Sequence, residues 1–142
     1  RKSVSGYALF LANGMIHGGR KSQTVVSCST AQAELIALHN ATNECVWIRR
    51  LLADLGFPQN EPTTIFVDNQ ATITMVSKRS TSSRNRHIDV KYWSIRERIS
   101  KGDVRIEYVK SVMNRADIFT KITTTDVFKR ERELLGLTSD TR

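Results

Sequence analysis

Three acidic residues stand where carboxylates could do chemistry. Asp68 ends the apolar, strand-like run Ile65-Phe66-Val67, directly before Asn69-Gln70, which opens a helix-like segment. Open α/β sheets carry their sites at such carboxyl ends of strands, and a helix N-terminus favours a nearby anion. Glu34 lies in the first turns of another helix-like stretch, beside Ala33 and apolar Leu35, Ile36 and Leu38. An acid so close to an apolar face is uncommon, although a first-turn Glu also suits the helix dipole. Asp117, in RADIFTK, again follows a loop at a helix start. Three acids at three helix beginnings could be three caps. They could equally converge on a divalent ion, whose charge offsets their mutual repulsion. Spacing alone leaves both readings open.

The elements that must position them read as follows. Residues 7–13 (YALFLAN) form a short apolar strand, and Asn13-Gly14 signals a hairpin turn. The returning arm, 15–29, is interrupted by Gly18-Gly19 and resumes at Thr24-Val25-Val26, so a weakened second strand is expected. Ser29 to Gln32 matches a capping box, with Ser29 as the cap. A long helix follows to about Leu55, with Leu35, Leu38, Cys45, Ile48, Leu52 and Leu55 at helical spacing, stopped by Gly56 and Pro58. A strand over 64–68 precedes a helix reaching Ser77, then a basic, serine-rich loop over 78–86.

Residues 87–101 read as an amphipathic helix, with Ile88, Tyr92, Ile95 and Ile99 on one face and Gly102 as its stop. Val104, Ile106 and Tyr108 alternate with Arg105 and Glu107, the pattern of a half-buried strand. Short helices are expected over 116–121 and 128–135, with a frayed end over 138–142. The order β-β-α-β-α-α-β-α is a mixed α/β layout, and the strands over 64–68 and 104–109 should be parallel neighbours. One domain over 1–121 is expected, with 122–142 as a C-terminal helix and tail.

The chain has 142 residues, 39% hydrophobic and 25% charged, with a formal net charge of +8. Such a composition suits a globular domain, and the positive balance favours a polyanionic partner, nucleic acid before membrane. No apolar run approaches the length of a membrane span. Cys28 and Cys45 lack metal-type spacing and read as buried thiols of a reducing compartment.

Six words carry more than any single residue does: SGYALFL, STAQAELIAL, WIRRLLADLGFP, FVDNQATI, RHIDVKYWSIRERI and ADIFTK, in that order. They resemble SGYVFFL, SSTEAEYIAL, WLRRLLEELGF, CDNQSAI, KHIDIRYHFIRE and ADILTK of the ribonuclease H domain in copia-type LTR retrotransposon Pol polyproteins. The resemblance runs from about Ser3 to Lys121. It implies an RNase H-like α/β fold: a five-stranded mixed sheet with helices on both faces. The implied activity is hydrolysis of the RNA strand of an RNA–DNA hybrid during reverse transcription. This endonuclease chemistry uses two magnesium ions (manganese is the alternative) held by acids. The family's helix Glu falls on Glu34, its strand-end Asp on Asp68 and its late Asp on Asp117. These three are the expected catalytic residues and metal ligands.

The resemblance also implies departures. The family's first catalytic Asp lies on a strand ahead of the SGY word, the centre of its sheet. That strand is expected to be missing here, which would leave the chain weak or inactive as a nuclease. Gly18 replaces a family Trp, Gln32 replaces the first Glu of EAE, and the loop 110–115 carries no His. His87 reads as structural rather than as a ligand. Implied partners are the hybrid and the reverse transcriptase domain of the same polyprotein, with no membrane. The implied location is intracellular, in a cytoplasmic virus-like particle, with the nucleus as the alternative.

Between Lys78 and Lys101 eight basic residues face two acids, a local excess of +6. Arg84 and Arg86, with Lys78 and Lys91, could contact backbone phosphates, or simply solvate a helix face. Asn69 and Gln70 are expected to shape the turn after Asp68, and Gln70 to touch the substrate backbone. Tyr92 should be buried and Trp93 exposed for stacking. The rival to the nuclease reading is a non-catalytic nucleic-acid-binding remnant of a transposable element.

Overall fold

The computed structural model of the chain describes residues 4–22, 30–77, 86–120 and 124–137. Strands β1 (Val4–Leu11) and β2 (Gly14–Ser22) form an antiparallel hairpin. Helix α1 (Thr30–Asp54) is followed by β3 (Thr63–Val67), α2 (Gln70–Ser77), α3 (Arg86–Ser100) and β4 (Val104–Tyr108). Two 3₁₀ turns, Ser111–Met113 and Asp117–Phe119, precede α4 (Thr125–Leu134). The architecture is mixed α/β, consistent with an RNase H-like fold. Strands β3 and β4 pair in parallel, which the two helices between them allow, and the described strands fall into two two-stranded sheets.

The hairpin differs from its sequence reading in two places. Leu11 pairs with Gly14, so the turn residues are Ala12 and Asn13, at φ of 48° and 65°. Both lie in the left-handed region that a two-residue hairpin turn demands, and Gly14 already belongs to β2. Strand β2 also runs unbroken through Gly18-Gly19. The glycines are needed there for space: a Cβ on Gly19 would come within 2.6 Å of the Tyr7 ring, and one on Gly18 within 3.0 Å of Phe119. The expected resumption at Thr24 and the Ser29 cap lie outside the described residues, as do Cys28 and the 138–142 tail.

The core is built where α1, α2 and α3 meet the β3–β4 pair. Leu35, Leu38, Val67, Val76, Tyr92 and Ile95 form its buried centre, with Ile65, Ile73, Ile99 and Ile106 packed against it. Each such apolar side chain contributes about 1.5–3 kcal/mol by leaving water. The helical stripe predicted for α1 holds at Leu35, Leu38 and Cys45 and fails at its end, where Leu55 is 63% exposed. Leu55 already lies beyond α1, in the turn that stops it. Gly56 and Gly102 adopt φ of 88° and 72° and end their helices with the Phe57 N–H to Leu52 and Asp103 N–H to Arg98 hydrogen bonds of Schellman caps.

Arg49 ties α1 to the segment that enters β3. Its guanidinium donates to the carbonyls of Glu61 (2.8 Å) and Gln59 (2.7 Å) and to the Thr63 hydroxyl (2.8 Å). On the other side of the core, Arg96 donates to the Val76 carbonyl and the Tyr92 hydroxyl, linking α3 to α2.

His39 on α1 is held below its ordinary pKa by burial and by the Lys91 charge on α3. Its Nε2 lies 3.3 Å from the Asn43 amide, and its buried Nδ1 has no partner among the described residues. The folded state therefore prefers the neutral ring. Its contribution to stability is full above the unfolded pKa of 6.5 and is lost as pH falls through the lower folded value. Chemical denaturation should show a loss of stability as pH falls below about 6.5, and His39→Gln should reduce that loss.

Candidate active-site cleft

A cleft of about 490 Å³ opens between β1 and β3, with α1 as its floor. Glu34 lines it, together with Ala37, Leu38 and Ala41 of the same helix face. Val67 and Ala116 line it as well, and they immediately precede Asp68 and Asp117. The elements bearing the three predicted acids thus border one cleft, although they come from distant parts of the chain.

Local sequence explains how each acid is delivered. The Val67 carbonyl accepts the Val109 N–H at 3.0 Å, so the parallel ladder ends there and Asp68 leaves the sheet. Asn69 caps α2: its Oδ1 accepts the Thr72 N–H at 3.1 Å. Asp68 is therefore not the cap. It is half-buried, and its carboxylate has no hydrogen-bond or ion-pair partner among the described residues. Thr72, wholly buried, donates its hydroxyl to the Ala31 carbonyl at 3.2 Å. Ala31 lies three residues, just under one turn, before Glu34, so this bond sets the start of α1 against the Asp68 turn.

Asp117 is the first residue of its 3₁₀ turn, which has no side-chain cap. Asn114 organises the approach: its Oδ1 accepts the Ala116 N–H (3.1 Å) and its carbonyl accepts the Asp117 N–H (3.2 Å). Thr120 closes the turn by donating its N–H (2.9 Å) and hydroxyl (3.1 Å) to the Asp117 carbonyl. The turn docks on the hairpin through Gly6, where a Cβ would meet Thr120 at 2.6 Å and Phe119 at 2.9 Å. The absence of a side chain at Gly6 lets the Asp117 segment reach the cleft. Neither Asn114 nor Thr72 was singled out by sequence reasoning. Asn69-x-x-Thr72 has cap spacing, but nothing local signals a bond across 41 residues.

Carboxylate oxygens are ligands of the type magnesium takes. Among the described residues no group of three or more His, Cys, Asp or Glu side chains is assembled closely enough to hold a metal ion. Glu34 lines the cleft, Asp68 and Asp117 directly follow lining residues, and the three form no closed ligand cluster.

Of the expected phosphate contacts, Lys78 and Arg84 lie outside the described residues, as does the side chain of Arg86 at the start of α3. Lys91 is half-buried and turned toward His39. Gln70 is exposed at the first position of α2, one residue past the Asn69 cap. Tyr92 is buried and Trp93 is 51% exposed, their rings edge-on at 5.2 Å. Cys45 is a buried free thiol, pushed up in pKa by burial.

Similarity to known proteins extends over the whole chain. It is 33% identical over 140 residues, 99% of its length, to the retrovirus-related Pol polyprotein from transposon TNT 1-94 of Nicotiana tabacum. It is 29% identical over 136 residues, 96% of its length, to that from transposon RE1 of Arabidopsis thaliana. The yeast transposon Ty1-NL2 Gag-Pol polyprotein matches at 28% over 126 residues, 85% of the chain. The chain spans 10%, 9% and 7% of these three relatives, so it corresponds to one small part of a multidomain polyprotein. No family model and no solved structure matches it. The homologues give the chain a transposable-element origin. Among the described residues no helix is long and apolar enough to cross a membrane.

If Asn69 rather than Asp68 caps α2, Asn69→Ala should lower stability by about 0.5–2 kcal/mol. Asp68→Asn should change it by less than about 0.5 kcal/mol. Urea unfolding of the two variants checks this.

Proposed function

We propose that the chain is the ribonuclease H part of a copia-type Pol polyprotein, an endonuclease that hydrolyses the RNA strand of RNA–DNA hybrids. The observation that carries this reading is the cleft bordered by Glu34 and by the residues immediately before Asp68 and Asp117. The six motif words in register and the Pol homologues support it. Glu34, Asp68 and Asp117 would hold magnesium. When bound, the metal activates water and stabilises the leaving oxygen of an in-line displacement.

The protein's own residues do the remaining work. Asp68, kept from capping by Asn69, remains available as a ligand. The Thr72–Ala31 bond fixes the Glu34 turn against the Asp68 turn. The Asn114 turn carries Asp117 to the cleft. Gln70 and the basic residues Lys78, Arg84, Arg86 and Lys91 would bind the hybrid's backbone phosphates. The reverse transcriptase domain of the same polyprotein would supply the hybrid, inside a cytoplasmic virus-like particle.

A second reading is favoured by the absence of a closed three-acid group among the described residues. In it the chain binds hybrids without cutting them. Protein in excess over an end-labelled hybrid, resolved on gels, separates the two. The nuclease reading expects slow, magnesium-dependent RNA cleavage that Glu34→Gln, Asp68→Asn and Asp117→Asn each lower by about 100-fold or more. Hybrid affinity in those variants should stay within about threefold. Salt-sensitive binding with no cleavage, indifferent to Asp68→Asn and to magnesium, would establish the second reading.

A further inference from the structure

We propose that the chain pairs with a second copy of itself through the exposed face at the C-terminal end of α1. Trp47 is 57% exposed there, and Leu51 and Leu55 are 41% and 63% exposed. The Leu55 N–H bonds the Leu51 carbonyl at 3.0 Å, so the helical turn carries through to it. The three recur at every fourth position and form one ridge along the helix surface. Phe57, 67% exposed, adds a fourth large apolar side chain where the helix ends. Together they leave roughly 400 Å² of apolar surface in water, the size of patch that marks a contact site.

Charge identifies the occupant. Two copies of a chain with a net charge of +8 repel each other, so a face on which they meet must be free of that excess. This face is. Arg50 and Asp54, both exposed, lie in the row beside the ridge and cancel. Arg49, the other base on this stretch, has its guanidinium engaged by Glu61, Gln59 and Thr63. Arg50 and Asp54 have no hydrogen bond or ion pair among the described residues. Their base-before-acid order is the poorer one for a pair within a single helix.

The same face is complementary to itself. Ridges of every fourth residue interlock in the commonest class of helix pair, crossing at about −50°. In an antiparallel pair with its two-fold axis near Leu51, each Trp47 meets the Leu55 of the other copy. Each Arg50 then meets the Asp54 of the other copy, so two ion pairs flank one apolar centre. Two such faces bury on the order of 1,000 Å² in total, the low end of specific contacts, which makes the dimer a dissociating one. The α1 residues that line the cleft end at Ala41, before Trp47, so the dimer face and the cleft occupy different parts of the helix.

Sedimentation equilibrium of the whole chain, from about 10 μM to about 1 mM, tests this; a monomer–dimer equilibrium within that range is expected. Trp47→Ala should weaken it about tenfold or more. The decisive variants reverse one charge each. Arg50→Asp leaves two acids on the face and Asp54→Arg leaves two bases, so each alone should associate about tenfold more weakly than the parent chain. Mixed in equal amounts they should form a heterodimer within about threefold of the parent affinity, because opposite faces then meet. All three positions are exposed, and thermal melting checks that the variants fold. A chain that stays monomeric at 1 mM leaves the face to another domain of the polyprotein and overturns the proposal. So does association that ignores the single reversals, or a mixture that associates no better than its components. These readouts involve neither RNA nor metal, so the dimer and the nuclease reading stand or fall separately.

Discussion

The bond from the buried Thr72 hydroxyl to the Ala31 carbonyl is the constraint on which the site's geometry depends. Thr72 cannot turn to water, so its hydroxyl must be satisfied internally, and the cost of leaving it unpaired is about 1–3 kcal/mol. The partner it finds belongs to the first turn of α1. Through this single contact the start of α2, the Asn69 cap and the end of β3 are indexed to the turn that bears Glu34. The apolar core does the gross positioning, since Leu35 and Val67 belong to the same buried cluster. Apolar packing is non-directional, however, and a directional bond is what fixes which residues face the cleft.

Glu34, Asp68 and Asp117 come from distant parts of the chain. Each is presented by a separate element whose backbone is tied by its own local bonds: Asn69 at α2, Asn114 before Asp117, and the helix itself at Glu34. Asparagine does the capping at Asp68 and organises the turn at Asp117. A neutral amide in those places adds no negative charge beside the acid, whereas an aspartate would.

Much of this order was legible in the sequence, because period-2 and period-3.6 patterns are local. The parallel β3–β4 pair, the α2 start and the Tyr92–Ile95 face all follow from spacing. The misreadings have tertiary causes. Gly18-Gly19 looks like a strand break, yet the pair is accommodating the Tyr7 and Phe119 rings, one from the facing strand and one from 100 residues away. Asn13-Gly14 looks like the hairpin turn, but Leu11 pairs with Gly14, so Ala12-Asn13 makes it. Leu55 keeps helical spacing after the elements that could cover it have ended. For the site, residue types and positions were legible, but the bonds that aim them were not. Thr72 and Asn114 act through partners that neither local pattern nor composition reveals.

Helix α1 packs against both of the two-stranded sheets described, alongside the 3₁₀ turn that docks on the hairpin at Gly6. It contacts the hairpin on one side of the cleft and β3 on the other, and its small residues Ala37 and Ala41 face the space between. Larger residues there would fill the cleft and let the helix serve as an ordinary core element. Alanines instead leave the cleft its depth, at the cost of apolar contact that larger side chains would make. The Phe10 ring, on the β1 side of the cleft, is covered by the Arg115 guanidinium at 4.7 Å rather than by an apolar neighbour. A cation over an aromatic face covers the ring while keeping the charged head near water. The alanine floor of α1 thus sets the depth of the cleft that Glu34 lines.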